Sequence, residues 1–435
     1  MPGDSSLASL LREQAIAVET AVLDAAIQKA ARRTLPLYLV GGAVRDLICG
    51  RWAHDLDFVV EGDATKLAES VAAELGAELK VHDRFATATV ELEACHFDFA
   101  SARRESYALP AALPVVEAGT LEQDLARRDF AVNAMAVQLW PGSREDLIDP
   151  FGGRDDLRAK TLRVLHPKSF VDDPTRILRG VRLEMKSDLR LSAEAVELAN
   201  RAVDEGILDR LSGDRLRREL ELLFTEATDL RAAASRLEEL HILRALASRL
   251  SLSSTTFEWL ERLSTVPAET TDSQSFGSDR WMSSLRVLSE GLDRSDRDFL
   301  ARRLSIQGEA RERLVDGVDR VCAIARQLAA PDLPPHRADE LLRETNTEDR
   351  LLLLASRRSN VREWVEKWIR ELRSIGLGIT GEDLVRRGFE PGPRIGEALA
   401  ATRRARLDGR IEEHGELAFA LDYLASNRAS SENGA

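Results

Sequence analysis

Asp55 and Asp57 stand one residue apart in Asp55-Leu-Asp57-Phe-Val-Val, nine residues after the run Tyr38-Leu-Val-Gly41-Gly42-Ala-Val-Arg45-Asp46. On a β-strand residues i and i+2 face the same way, so both carboxylates reach one divalent ion while Leu56 points into the core. Upstream, Gly41-Gly42 lets the backbone approach a phosphate at the start of a short helix, whose N–H groups and dipole favour an anion. A Gly-Gly pair alone is most often a turn, and two nearby aspartates are most often solvated or capping. In the order strand, glycine turn, helix, acidic strand, they read as a phosphoryl-transfer site.

Two further runs accompany this one: Arg127-Arg128-Asp129-Phe-Ala-Val-Asn133, and Asp172-Asp173-Pro174-Thr-Arg176-Ile-Leu-Arg179. With Gly41-Gly42-Ala-Val-Arg45-Asp46 and Asp55-x-Asp57, their order and spacing resemble the class II tRNA nucleotidyltransferase and bacterial poly(A) polymerase family, and the similarity runs to about residue 425. The resemblance implies template-independent addition of C, A or both at the 3′-terminal CCA of tRNA, from CTP, ATP or both. Its rivals are a poly(A) polymerase acting on RNA 3′ ends and a non-catalytic tRNA-binding protein, the second of which leaves the carboxylates unexplained.

Two metals need more ligands than Asp55 and Asp57 supply. Asp98, in His96-Phe97-Asp98-Phe99, alternates away from its phenylalanine neighbours and fits as the third catalytic carboxylate. Two Mg²⁺ ions held there activate the primer's 3′-hydroxyl and neutralise the triphosphate. In the second run Arg128 is expected to meet phosphate and Asp129 to accept from a ribose hydroxyl, with Asn133 beside it. In the third, Asp173 and Arg176 sit one turn apart and offer an acceptor and donors to the edge of cytosine or adenine, so protein groups replace a templating base. Arg45, Asp172 and Arg179 complete the expected nucleotide-binding set. The family commonly has Glu where this chain has Asp172.

The net charge of −13 over 435 residues means that any RNA-binding surface is a local basic patch. Arg176, Arg179, Arg182 and Lys186 on one helix form one candidate, Arg215 and Arg218 a second, and Arg386, Arg387, Arg394 and Arg403 a third. Pro391-Gly392-Pro393 ahead of Arg394 resembles the family's tail. No apolar run approaches the roughly 20 residues that cross a bilayer, and a cytoplasmic protein without membrane contact is expected. Cys49, Cys95 and Cys322 lack metal-ligand spacing and read as reduced thiols.

These groups need a scaffold. Segments with β-type apolar content, 37–40, 56–60, 86–92, 96–100 and 134–139, are confined to the first third. Beyond about residue 160 nearly every segment has helical period. The expected fold is α+β: a small mixed-sheet, palm-type head over 1–160, then an elongated all-α arm with a neck (161–265), a body (266–345) and a tRNA-binding tail (346–435). Thr120 and Gln123 form a capping box for a helix from Leu121. The stretch from Arg104 to Thr120 is too proline-broken for a regular element and resembles the family's flexible loop, while Asp149-Pro150-Phe-Gly152-Gly153 reads as a turn and resembles the family's hinge.

Overall fold

The computed structural model describes residues 7, 11, 15–51, 56–82, 86–141, 147–267 and 276–432. The chain divides into two compact units, one of 1–223 with 236–245, the other of 224–235 with 246–435. The first carries a seven-stranded sheet. Its strands are β1 (Leu37–Val40), β2 (Leu56–Val60), β3 (Glu78–His82), β4 (Thr87–Leu92), β5 (Cys95–Ser101), β8 (Ala136–Trp140) and β9 (Leu147–Ile148), in the order β3-β4-β5-β2-β1-β8-β9. A separate hairpin pairs β6 (Arg103–Ser106) with β7 (Val115–Ala118).

The sheet is mixed, as expected, because β2 and β5 run parallel while their other neighbours run antiparallel. All four residues of β1 are buried, the pattern of a strand covered on both faces. On one face Phe58 and Phe99 stack with ring centroids 4.8 Å apart, in a layer covered by helix Ala64–Leu75, whose Leu67, Ala68 and Val71 are fully buried. Asp63 caps that helix by accepting from Lys66 N–H. On the other face Tyr38, Val40, Val59 and Ala136 pack under Leu121 and Leu125. Helix Leu121–Ala126 begins at the expected Thr120–Gln123 capping box. This second face is therefore apolar toward one end and carries Asp57 and Asp98 toward the other.

Two expectations change. The 104–120 stretch is not an irregular loop, because Arg103–Ser106 and Val115–Ala118 pair in antiparallel register. Pro110 and Pro114 lie in the connection, where no ladder N–H is required. The edge strand β3 went unforeseen because Glu-Leu-Lys-Val-His is mostly exposed and carries little apolar signal.

After the sheet come helices Gly153–Arg158, Thr175–Lys186, Ala193–Asp204 and Gly213–Glu226. In the second unit the described residues form helices and no strand. Helices Gly381–Val385, Pro393–Leu407 and Glu416–Glu432 share a core of Leu384, Ile395, Ala398 and Leu424. Among the described residues no helix is long and apolar enough to cross a membrane.

The Asp149–Gly153 turn is held by packing. Asp149 accepts from Gly153 N–H and Arg154 N–H at 2.7 and 2.9 Å, and a Cβ at Gly153 would lie 2.2 Å from the carbonyl oxygen of Ala131. Gly153 is thus required for close approach to the segment bearing Asp129 and Asn133. Gly153→Ala is expected to destabilise the first unit by roughly 1–3 kcal/mol, as overpacking does, and urea melts of the purified variant measure it; an unchanged midpoint would mean that the turn is slack.

Candidate active site

Parallel register between β2 and β5 sets Asp57 directly beside Asp98, so both carboxylates rise from the same face of adjacent strands. Asp98 is exposed and accepts from Thr89 Oγ1 at 2.5 Å across the β4–β5 pair; Asp57 is half-buried. Asp55 lies outside the described residues. Gly41 has φ +74°, which favours glycine, and a Cβ there would lie 2.8 Å from Arg128 Nη1 and 3.3 Å from Asp57 Oδ2. The glycine turn therefore fits between a guanidinium and a carboxylate, with no room for a side chain.

The three sequence runs join through one buried carboxylate. Asp129 Oδ1 accepts from Phe130 N–H (2.8 Å) and Asn133 Nδ2 (3.0 Å), and its Oδ2 accepts from Arg179 Nε (2.9 Å) and Nη2 (2.8 Å). Asn133 Oδ1 in turn accepts from Arg45 Nη1 at 2.8 Å, and Arg45 grips Asp46 with Nε and Nη2. Burial alone would push the Asp129 carboxyl up. The Arg179 charge and the hydrogen bonds from Asn133, Arg179 and Phe130 outweigh it and hold the group at about 2. Four donors meet the two oxygens of this carboxylate, and the group fixes Arg179 and Asn133.

Across the cavity, Asp173 Oδ1 accepts from Thr175 N–H, Thr175 Oγ1 and Arg215 Nη2 at 3.1, 2.6 and 2.8 Å. The partner of Asp173 is thus Arg215, from a different helix, and not Arg176 one turn away. Arg176, 5% exposed, donates Nη1 to Ser169 Oγ (2.8 Å) and Nη2 to the Arg127 carbonyl (2.6 Å). Arg127 and Arg128 both bind the fully buried Asp124, which fixes their guanidinium heads.

One cavity of about 590 Å³ brings together Gly41, Gly42, Asp57 and Asp98 with Arg128, Asp129 and Asn133, and with Asp173, Arg176 and Arg179. Arg45 lies instead in an adjoining recess, and Asp172 lines neither. Arg215 reaches inward to Asp173 and to the Ala111 carbonyl, whereas Arg218 is exposed. In the second unit Arg386 and Arg387 are exposed, Arg386 pairing with Glu382 and Asp383. There too Arg394 donates to the Leu424 carbonyl, and Arg403 is turned to the fully buried Asp339.

Sequence reading missed Glu105, Tyr107 and Thr89. Glu105 accepts from Arg103, Arg127 and the Tyr107 hydroxyl, and burial together with Glu105 pushes the Tyr107 phenol up, so it stays a donor. Alternation along 103–106 would have revealed Glu105 had the strand been recognised. Thr89 meets Asp98 through cross-strand register, which has no local signal.

Because the folded Asp129 carboxyl sits below its ordinary 3.8, its pairing contributes full stability above about pH 4 and loses it as pH falls through about 2. Asp129→Asn is expected to cost roughly 3–5 kcal/mol near neutrality, the scale for breaking a buried pair. Urea unfolding as a function of pH should show the deficit shrinking between about pH 4 and pH 2. A deficit constant over that window would mean that shape, and not charge, makes Asp129 necessary.

Comparison with known proteins agrees with this arrangement. Residues 37–163 match the Poly A polymerase head domain. The chain is 37% identical over 384 residues to the A-adding tRNA nucleotidyltransferase of Geobacter sulfurreducens, covering 86% of this chain and 43% of that protein; it thus spans less than half of that relative's length. It is 34% identical to the A-adding tRNA nucleotidyltransferase of Halalkalibacterium halodurans, covering 91% of both. The solved CCA-adding enzyme of Thermotoga maritima, complexed with tRNA-CCA, superposes with a TM-score of 0.77 at 30% identity, covering 97% of this chain and 98% of that one. With near-full-length similarity and the acidic pair, the buried Asp129 bridge and the Asp173–Arg176 wall around one cavity, the chain belongs to the class II tRNA nucleotidyltransferase and poly(A) polymerase family, a group of nucleotidyltransferases that depend on divalent metal.

Proposed function

We propose that the protein adds the terminal adenosine of CCA to tRNA from ATP, by attack of the primer 3′-hydroxyl on the α-phosphate with release of pyrophosphate. The observation that carries this reading is the placement of Asp57 and Asp98, side by side on adjacent strands, in the same cavity as Asp173 and Arg176. The first set suits phosphoryl transfer and the second suits reading a base edge. Similarity over 91% of both chains to an A-adding enzyme supports A as the nucleotide. Complete CCA addition from CTP and ATP is the second reading, favoured by the likeness to the Thermotoga enzyme over nearly the whole of both chains.

Carboxylate oxygens on neighbouring strands suit a hard cation, and Mg²⁺ is the ion assigned to Asp57 and Asp98, with Asp55 as their expected companion. A cation held by these carboxylates would supply neutralisation of phosphate charge and easier ionisation of the attacking hydroxyl. The protein's own part is placement. Gly41 leaves its backbone open beside Arg128, while Arg128 and Arg179, each anchored on a buried aspartate, face the cavity where the triphosphate charge must lie.

Asp173 receives Thr175 and Arg215 on Oδ1, so Oδ2 is the acceptor offered to the amino group of adenine or cytosine, and Arg176 offers its remaining N–H groups to the ring. Guanine and uracil carry a carbonyl where the amino group is needed and would leave a carboxylate unsatisfied, which costs about 1–3 kcal/mol. The late arginines of the second unit, Arg386, Arg387 and Arg394, are assigned to tRNA phosphates.

Purified protein given tRNA transcripts ending before the first C, after one C and after two, with CTP and ATP separately, tests the reading. A single A on the transcript ending in CC, with no use of CTP, is expected. CTP use on the shorter transcripts would replace it by full CCA addition, and long A tracts on unrelated RNA by a poly(A) polymerase. Asp57→Ala is expected to abolish addition while leaving the tRNA dissociation constant within about twofold, since it removes a metal ligand and no phosphate contact; turnover near that of the wild type would sink the metal assignment.

A further inference from the structure

Among the acids that line the catalytic cavity, Asp129, Glu105 and Asp173 are each bonded to a guanidinium, that of Arg179, Arg127 and Arg215 respectively. Asp98 differs. Its bond is to a hydroxyl, Thr89 Oγ1 donating to Asp98 Oδ1 at 2.5 Å. Register brings the two together: Asp57, Asp98, Thr89 and Lys80 lie opposite one another on β2, β5, β4 and β3 and form one row across the sheet. Residues paired across adjacent strands share a face, and Asp57, Asp98 and Thr89 of this row line the cavity. Lys80, at the far end, is committed to Glu91, with Nζ 2.7 Å from each carboxylate oxygen. The donor that reaches Asp98 is therefore neutral. Ala88 and Val90, on either side of Thr89, are buried on the opposite face and anchor the strand that carries the hydroxyl.

A guanidinium on a carboxylate offsets its charge and competes with a metal ion. A hydroxyl fixes one oxygen and leaves the second oxygen and the negative charge in place. Asp98 is exposed, and an exposed side chain with no partner hops among rotamers, so an ion binding there would have to order it at a cost in side-chain entropy. We propose that Thr89 is a positioning residue for the cation-binding carboxylate Asp98: it holds Oδ1 and leaves Oδ2, with the charge of the group intact, to a cation held jointly with Asp57. The inference rests on the metal assignment above. Thr89 acts through Asp98 and makes no contact of its own with substrate in this role.

The test is titration of Mn²⁺ into the full chain, without nucleotide or RNA, followed by the electron paramagnetic resonance signal of the free ion. Thr89→Val keeps the β-branched shape that suits a strand and removes the hydroxyl. It is expected to weaken Mn²⁺ binding about tenfold or more, the scale for hydrogen-bond partners of metal ligands. Thr89→Ser, which keeps the hydroxyl and loses the methyl, should bind as the wild type does. In an Asp98→Ala background Thr89→Val should change the affinity by less than about twofold, because its effect passes through that carboxylate. In nucleotide-addition assays the Mg²⁺ concentration giving half the maximal rate should rise about tenfold in Thr89→Val, while the KM for tRNA stays within about twofold. Unchanged Mn²⁺ affinity in Thr89→Val, an equal loss in Thr89→Ser, or a further loss when Thr89→Val is added to Asp98→Ala would each overturn the role. A wild-type protein whose Mn²⁺ affinity is indifferent to both Asp57→Ala and Asp98→Ala would sink the metal assignment itself.

Discussion

The site depends on one buried carboxylate and the cation that neutralises it. Asp129 gains nothing from its apolar surroundings, which disfavour its charge; Arg179 and three hydrogen bonds reverse that penalty. The outcome is a rigid strut. It ties the 3-10 turn bearing Asn133 to helix Thr175–Lys186, and through Asn133 and Arg45 it reaches the glycine turn beside Asp57. Removing one member would leave a charge buried without its counterpart, which explains how residues far apart in sequence act as one wall. Arg128 and Arg127 on Asp124 repeat the device on a smaller scale: in each case a buried acid fixes a guanidinium whose remaining donors face the cavity.

Sheet topology supplies the second constraint. A parallel β2–β5 pair within an otherwise antiparallel neighbourhood places Asp57 beside Asp98, and Thr89 follows from the next antiparallel pair. The face they share is apolar where helix Leu121–Ala126 covers it and acidic where it does not. Packing and chemistry thus divide a single sheet surface by position along the strand. Across the cavity, Arg215 reaches from helix Gly213–Glu226 to both Asp173 and the Ala111 carbonyl, joining that carboxylate to the connection between β6 and β7.

The net charge of −13 coexists with many arginines because charge is distributed by pairing. Many arginines of the second unit are used internally, as Arg403 is on Asp339 and Arg406 on Glu416.

Sequence by itself determined a sheet-bearing head followed by helices, together with the central strands, because alternation and helical period are local properties of the chain. The helix from Leu121 and its capping box, the all-buried β1 and the acidic β2 were legible for that reason. Partnership was not. Asp173 pairs with Arg215 and not with its near neighbour Arg176, Asp129 is held by Arg179 and Asn133, and Arg45 lines the adjoining recess. The hairpin across 103–118 was hidden by prolines that occupy only its connection. Tertiary structure alone decided these points, because which donor meets which acceptor depends on strand register and helix placement, and one local spacing is compatible with many such pairings.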